Sequence, residues 1–242
     1  MPGEPEHAKL VQAMKDLQEF WFIVHSIGDR LLEPAYLAVL GRAVSDAVLP
    51  DPDRNDSPGR DAQFELLLAA FGEQASLVVE PGTGRGPDLI ISSPARKCAV
   101  EVKRIKNFDR MPSRVSAAAD QIKASGLGGI IAIDISMALG PEEHQVAPGT
   151  TDEQIQEAQT RRGRDFKLRH LPVLAERVRG RSVGLIVVHD YVLRPSATSA
   201  TMSQPWALNS LWDRFSLVPP GTDLYRHFDE MWSMLSVAMP QL

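Results

Sequence analysis

A chain of 242 residues, 43% hydrophobic and 24% charged, has the balance of a globular protein and the length for one large domain, or one domain with a helical appendage. Its single cysteine, Cys98, cannot form an internal disulfide, which points to a reducing compartment. The first residues show no basic stretch leading into an apolar run, and no apolar run approaches the ~20 residues of a membrane span; a cytoplasmic location without a membrane partner is the expectation. The net charge of −5 argues against a nucleic-acid partner only until its distribution is read. Residues 1–57 hold ten Asp/Glu against five Lys/Arg, whereas residues 85–181 hold 17 Lys/Arg against 12 Asp/Glu. A groove for phosphates is compatible with that segregation.

In chain order, Leu10, Met14, Leu17, Phe20, Trp21, Ile23, Val24 and Ile27 recur at helical spacing up to Gly28. A second helix is expected over 34–48, carrying Leu37, Leu40 and Val44. Residues 50–59 are rich in Pro, Asp and Gly and mark a boundary, giving an N-terminal helical segment and linker at 1–57 and a main domain at 58–242. Phe64, Leu67, Leu68 and Phe71 form one face of a short helix. Strands are expected over 77–80, 88–92 and 97–105, then a helix over 113–125 and an apolar strand over 130–135. Thr151 and Gln154 suggest a capping box opening a helical region, which Gly163 and Pro172 are expected to divide. Another strand is expected over 183–192. In the tail, Trp206, Leu211, Trp212 and Phe215, then Leu224, Phe228, Met231 and Leu235, are read at helical spacing. This order indicates an α/β fold with a mixed central sheet flanked by helices and an N-terminal helical extension.

The chemistry gathers around the second and third strands. Ser93 to Arg96 is a hairpin-sized connection. If Ser92 pairs with Lys97, Asp88 falls opposite Glu101, and strand alternation puts Lys103 on the face of Glu101. Two carboxylates facing across a ladder repel unless a positive charge lies between them. An all-oxygen pair of this kind suits a hard cation such as Mg²⁺, with Mn²⁺ as a substitute. Such an ion lowers the pKa of a water, and Lys103 can orient that water and neutralise charge on a phosphate.

Pro87-Asp88, a spacer, then Glu101-Val102-Lys103 on a strand resembles the PD-(D/E)xK nuclease superfamily, the restriction-endonuclease-like fold. Glu65, on the preceding helix, stands where that superfamily commonly carries a helical acid. The resemblance spans roughly residues 60–135. It implies Asp88 and Glu101 as metal ligands with the backbone carbonyl of Val102, Lys103 as the residue beside the attacking water, and Glu65 as a helper of the metal shell. Gln121 resembles a glutamine that some branches place after this strand, although the aromatic expected four residues on is here Ser125.

Other features have plainer readings. Glu101 and Lys103 on a solvated strand would form an ordinary ion pair. Asp134 either serves the active face or caps its strand near Ser136. Gly82 to Gly86 lacks the Lys-Ser/Thr ending of a phosphate loop and reads as a turn. His189 and Asp190 are neighbours on a strand and therefore face opposite ways. The basic run at Arg161, Arg162, Arg164, Lys167, Arg169, Arg177, Arg179 and Arg181 is either a solvated face or a phosphate contact. Trp206, Trp212 and Trp232 are read as core or interface anchors rather than base-stacking platforms.

The expected activity is Mg²⁺-dependent hydrolysis of nucleic-acid phosphodiesters, with DNA preferred to RNA. The alternatives are an RNase, or a catalytically silent module for nucleic-acid or protein binding. A homodimer or protein partner would dock through the N-terminal helices or the Trp-bearing tail.

Overall fold

The computed structural model describes residues 5–45, 58–82, 84, 86–94, 96–139, 144, 146, 150–195 and 206–238, with backbone alone at 5–11, 193–195, 206–210 and 238. The linker at 46–57 lies outside these residues, as does the side chain of Trp206. Helices α1 (Pro5–Ile27), α2 (Pro34–Ser45) and α3 (Pro58–Gln74) come first, then strands β1 (Val78–Pro81), β2 (Leu89–Ser92) and β3 (Lys97–Arg104). Helix α4 (Met111–Ser125), strand β4 (Gly129–Asp134), helices α5 (Asp152–Arg169) and α6 (Leu171–Val178), strands β5 (Val183–Pro195) and β6 (Trp206–Ser216), and helix α7 (Asp223–Ala238) complete the order.

The six strands form one mixed sheet in the order β1-β2-β3-β4-β5-β6. Pairings β1–β2, β2–β3 and β5–β6 are antiparallel, and β3–β4 and β4–β5 are parallel. Helices α1, α2, α3 and α7 share one apolar core with Cys98, Val100, Val102, Ile130, Ala132, Leu185 and Val187. Helices α4, α5 and α6 share the other with Ala99, Ile105, Ile131, Ile133, Ile186 and Val188. Strand alternation thus feeds two layers of helices, an α/β architecture. Among the described residues no helix is long and apolar enough to cross a membrane.

Three expectations need correction. The span from Trp206 to Phe215 is not helical: β6 pairs with β5 along its whole length, from Leu185↔Ser216 to Pro195↔Trp206. The spacing of Leu211 and Phe215 also satisfies a strand period, and pairing against a 13-residue partner overrides the helical reading. Gly163 does not divide its helix, which runs unbroken through Arg169. The Asp213 carboxylate sits where a Cβ at this position would stand, so a larger residue would have to push it aside. Pro172 does open a new helix, in its first turn, where its missing N–H is harmless. The third correction concerns faces. On α1 the buried stripe is Gln12, Lys15, Asp16, Glu19, Phe22, Ile23 and Ile27, while Leu17, Trp21 and Val24 are 70%, 64% and 56% exposed. On α2 Tyr36 and Val39 are buried, and Leu37 and Val44 point outward.

A charged network explains the inverted face of α1. Lys15 Nζ lies 2.7 Å from Glu19 Oε1 and 3.2 Å from Asp134 Oδ2. Arg104 reaches Glu19 and Asp134, and Arg60 pairs with Asp16 at 2.9 Å. Gln63 donates to Glu19 at 2.7 Å. Buried charges persist only when matched, and here each sign meets the other.

Candidate active site

The hairpin register is as read from the sequence: Ser92 pairs with Lys97 and Leu89 with Val100. Strand β2 begins at Leu89, so among the described residues the outer edge of β3 beyond Val100 has no strand partner. Odd-numbered residues of β3 turn their N–H groups to the β4 side, as Ala99 N→Gly128 O and Ile105 N→Asp134 O show. The backbone groups of Val102 and Arg104 therefore face the open edge. Carboxylates replace the missing strand there: Asp88 Oδ2 accepts from Val102 N at 2.8 Å, and Asp61 Oδ1 accepts from Arg104 N at 2.7 Å.

Asp88 and Glu101 meet across this gap. The N–H of Asp88 donates to Glu101 Oε1 at 3.1 Å. Lys103 Nζ lies 2.9 Å from Glu101 Oε2 and 3.4 Å from Asp88 Oδ2, between the two acids. Glu65, on α3, accepts from Arg42 Nη2 through Oε2 at 2.7 Å, while its Oε1 is buried and meets no hydrogen-bond partner among the described residues. Arg42, Pro58, Asp61, Ala62, Glu65, Gly82, Gly84, Gly86, Pro87, Asp88, Lys103 and Gln121 line a cavity of about 240 Å³. Gln121 turns its amide to the carbonyl of Gly86 at 3.5 Å.

The electrostatics follow from packing several acids at one place. Burial pushes the Glu65 carboxyl up to about 8; the nearby Asp88 adds to the rise and Arg42 opposes it. Burial likewise pushes Glu101 up to about 8, with Lys103 opposing and Asp88 reinforcing. Burial alone would lower the Lys103 ammonium, but Asp88, Glu101 and Asp61 outweigh it and raise its pKa. Asp61 is raised by burial despite Arg114, with which it forms an ion pair.

Among the described residues no three His, Cys, Asp or Glu side chains stand grouped as a ready metal cage. The donor chemistry nevertheless suits a hard cation. Asp88, Glu101 and the unsatisfied Oε1 of Glu65 are oxygens, and the carbonyl of Val102 leaves on the same open edge as its N–H. Two acids pushed up to about 8 are acids short of positive charge.

Sequence reasoning missed Arg42, Asp61 and Arg114. Asp61 stands one helical turn before Glu65, a spacing that could have drawn notice; Arg42 lies across the linker and carried no signal. Asp134 does not serve this face: it is fully buried on the α1 side with Lys15 and Arg104 and accepts from Ser136 N at 2.9 Å. His189 and Asp190 do face opposite ways, His189 toward Asp134 and Asp190 toward His144. Within the basic run, Arg162 pairs with Asp190, Arg179 with Glu176, and Arg181 with Asp120 and Ser116. Trp232 is buried in the core and Trp212 packs against it.

No protein-family model matches the chain. No curated protein matches it. Among solved structures, the central domain of yeast acetyl-CoA carboxylase is similar over 64% of this chain and 27% of that one, with 11% identity and a TM-score of 0.27. A likeness of that size bears on neither fold family nor function.

Proposed function

We propose that the chain is a metal-dependent phosphodiesterase of the restriction-endonuclease-like kind, acting on nucleic acid with DNA preferred to RNA, in the cytoplasm. The observation that carries this reading is the grouping of Asp88, Glu101 and Lys103 on the unpaired edge of β3, with Glu65 facing the same cavity. Asp88, Glu101, Glu65 and the carbonyl of Val102 are the groups that would hold Mg²⁺ or Mn²⁺. Such an ion, when bound, makes hydroxide available near neutral pH and offsets charge on the phosphate.

The chain's own residues have definite tasks in this reading. Asp88 and Glu101 are fixed by main-chain contacts with Val102 and with each other, so their oxygens are positioned before substrate arrives. Lys103, kept protonated by three acids, donates to the attacking water or to a phosphate oxygen. Gln121 donates to the carbonyl of Gly86 and so steadies the glycine turn that lines the cavity.

The test is a cleavage panel of single-stranded, double-stranded and structured DNA and RNA with Mg²⁺ or Mn²⁺. Chelator, Asp88→Ala and Lys103→Ala serve as controls. Metal-dependent cleavage lost in both variants is expected. Cleavage that survives both substitutions defeats the mechanism. Absence of cleavage with retained nucleic-acid or protein binding selects the silent module, and cleavage of RNA alone selects an RNase.

A further inference from the structure

The cavity carries a second cation that the catalytic reading does not use. Arg42 belongs to the last turn of α2, a helix anchored by the buried Tyr36 and Val39. Its base is therefore held while its head reaches the rim of the cavity, where the side chain is 44% exposed. Glu65, its partner, is only 3% exposed and lies deeper. The contact runs through one guanidinium nitrogen, Nη2, to one carboxylate oxygen. A guanidinium presents five donors in a flat fork that matches a phosphate two bonds at a time.

The neighbours of Arg42 suit the same ligand. Pro58, Asp61 and Ala62, from the first turn of α3, line the cavity; they bring the positive end of a 17-residue helix to that side, and the Asp61 carboxylate there is matched by Arg114. The described lining also includes Gly82, Gly84 and Gly86, positions that themselves carry no side chain to keep a sugar–phosphate backbone at a distance. Lys103 is held between Asp88 and Glu101, so among the described lining residues Arg42 is the cation that is most exposed.

We propose that Arg42, with the first turn of α3, forms a subsite for a nucleic-acid backbone phosphate next to the bond that is cut. This rests on the nuclease reading above for its substrate class. Glu65 parks the guanidinium in the free protein, and Arg42 turns to the phosphate when Glu65 gains another positive partner. The N-terminal helical segment would then complete the site rather than decorate it.

The test is binding of short fluorescent DNA, duplex and single-stranded, to the full chain by anisotropy across a salt series, with Ca²⁺ in place of Mg²⁺. Arg42→Ala is expected to weaken binding about tenfold and to lower the slope of log K against log salt by about one, uniformly across sequences. Arg42→Lys should keep most of the slope and lose part of the affinity, because the fork is gone; it carries the test if Arg42→Ala melts early. If Arg42 merely neutralises Glu65, adding Glu65→Gln to Arg42→Ala restores binding, and that result overturns the subsite, as does an unchanged affinity in Arg42→Ala. Cleavage by the wild type with Arg42-independent binding removes the subsite alone. Arg42-dependent binding without cleavage removes the nuclease reading alone. No binding by the wild type to either probe overturns both.

Discussion

Glu19 in α1 and Arg104 at the end of β3, 85 residues apart in the chain, meet with Oε2 2.5 Å from Nη2 and both side chains sealed from solvent. Lys103, the neighbour of Arg104, points into the cavity, so one dipeptide ties the buried network to the candidate site. Burial alone would raise the carboxyl of Glu19, but Arg104 and Lys15 reverse this and hold it low. Asp134 is held well below the carboxylate range by Lys15, Arg104 and His189, against its own burial.

Breaking this network at one member leaves the rest charged and dry. Arg104→Ala is expected to cost about 3–5 kcal/mol in urea unfolding. Lys97→Ala, which removes an exposed partner of Glu80, should cost no more than about 1 kcal/mol. Because the folded pKa values of Glu19 and Asp134 are depressed, the network's stabilisation is present above the ordinary carboxylate range and lost as pH falls below it. Equal costs for the two variants at pH 7 would contradict the account.

Lys103→Ala removes the positive charge between Asp88 and Glu101. The metal-free variant should melt lower than the wild type, and Mg²⁺ should raise its melting temperature by more than it raises that of the wild type. Cleavage, where present, should fall at least about 100-fold. Asp88→Asn should abolish the Mg²⁺ effect on melting. A Mg²⁺ shift that ignores both substitutions places the ion elsewhere.

Gly82→Ala tests the turn beneath the site. The N–H of Gly82 donates to Asp88 O at 2.7 Å, and a Cβ at Gly82 would overlap the carbonyl oxygen of Pro87. The substitution should displace the 87–88 peptide, lowering stability by about 1–3 kcal/mol and activity with it. Gly86→Ala, where nothing lies within 4 Å, should leave the melting curve in place. Calorimetry of the two variants decides it.

His144 supplies a pH signature. Its Nε2 lies 2.7 Å from Ser136 O, and its Nδ1 lies 3.0 Å from Tyr191 O and 3.3 Å from Asp190 Oδ1. Every partner is an oxygen acceptor, so the doubly protonated ring satisfies all of them. Burial pulls its pKa down, but Asp190 and the two carbonyls raise it above the ordinary value. A histidine raised on folding stabilises fully below its unfolded pKa of ~6.5 and loses that contribution as pH climbs through the folded value. Thermal melts from pH 5.5 to about 9 should show a steeper decline in the wild type than in His144→Gln, where the remaining slope comes from Glu65 and Glu101, both also raised on folding.

Much of the site was legible because a strand has a rigid period. Once Ser92 and Lys97 were paired, Asp88, Glu101 and Lys103 had to share one face, and the structure brings them together there. Capping chemistry was equally local: Thr151 and Gln154 form the reciprocal box at the start of α5. What escaped was set by distant partners. Apolar spacing alone does not give the inward face of α1, because Lys15 and Glu19 are drawn in by Arg104 and Asp134. The spacing of β6 satisfied two periods at once, and only β5 decides between them. Arg42 reaches the cavity from before the linker, and no local pattern predicts such an approach.

The strand order has a consequence for how the chain assembles as it is made. Each strand is laid beside the one synthesised just before it, so the sheet can grow outward from β1 as the chain emerges, each addition closing only the connection to the preceding strand. Helix α1 cannot follow that schedule. The first half of its inward face offers Gln12, Lys15, Asp16 and Glu19, which gain little from burial until Arg104 and Asp134 exist to receive them. Helix α1, translated before every strand of the sheet, is therefore expected among the last elements to dock, late in any time course of amide protection read by pulsed hydrogen exchange.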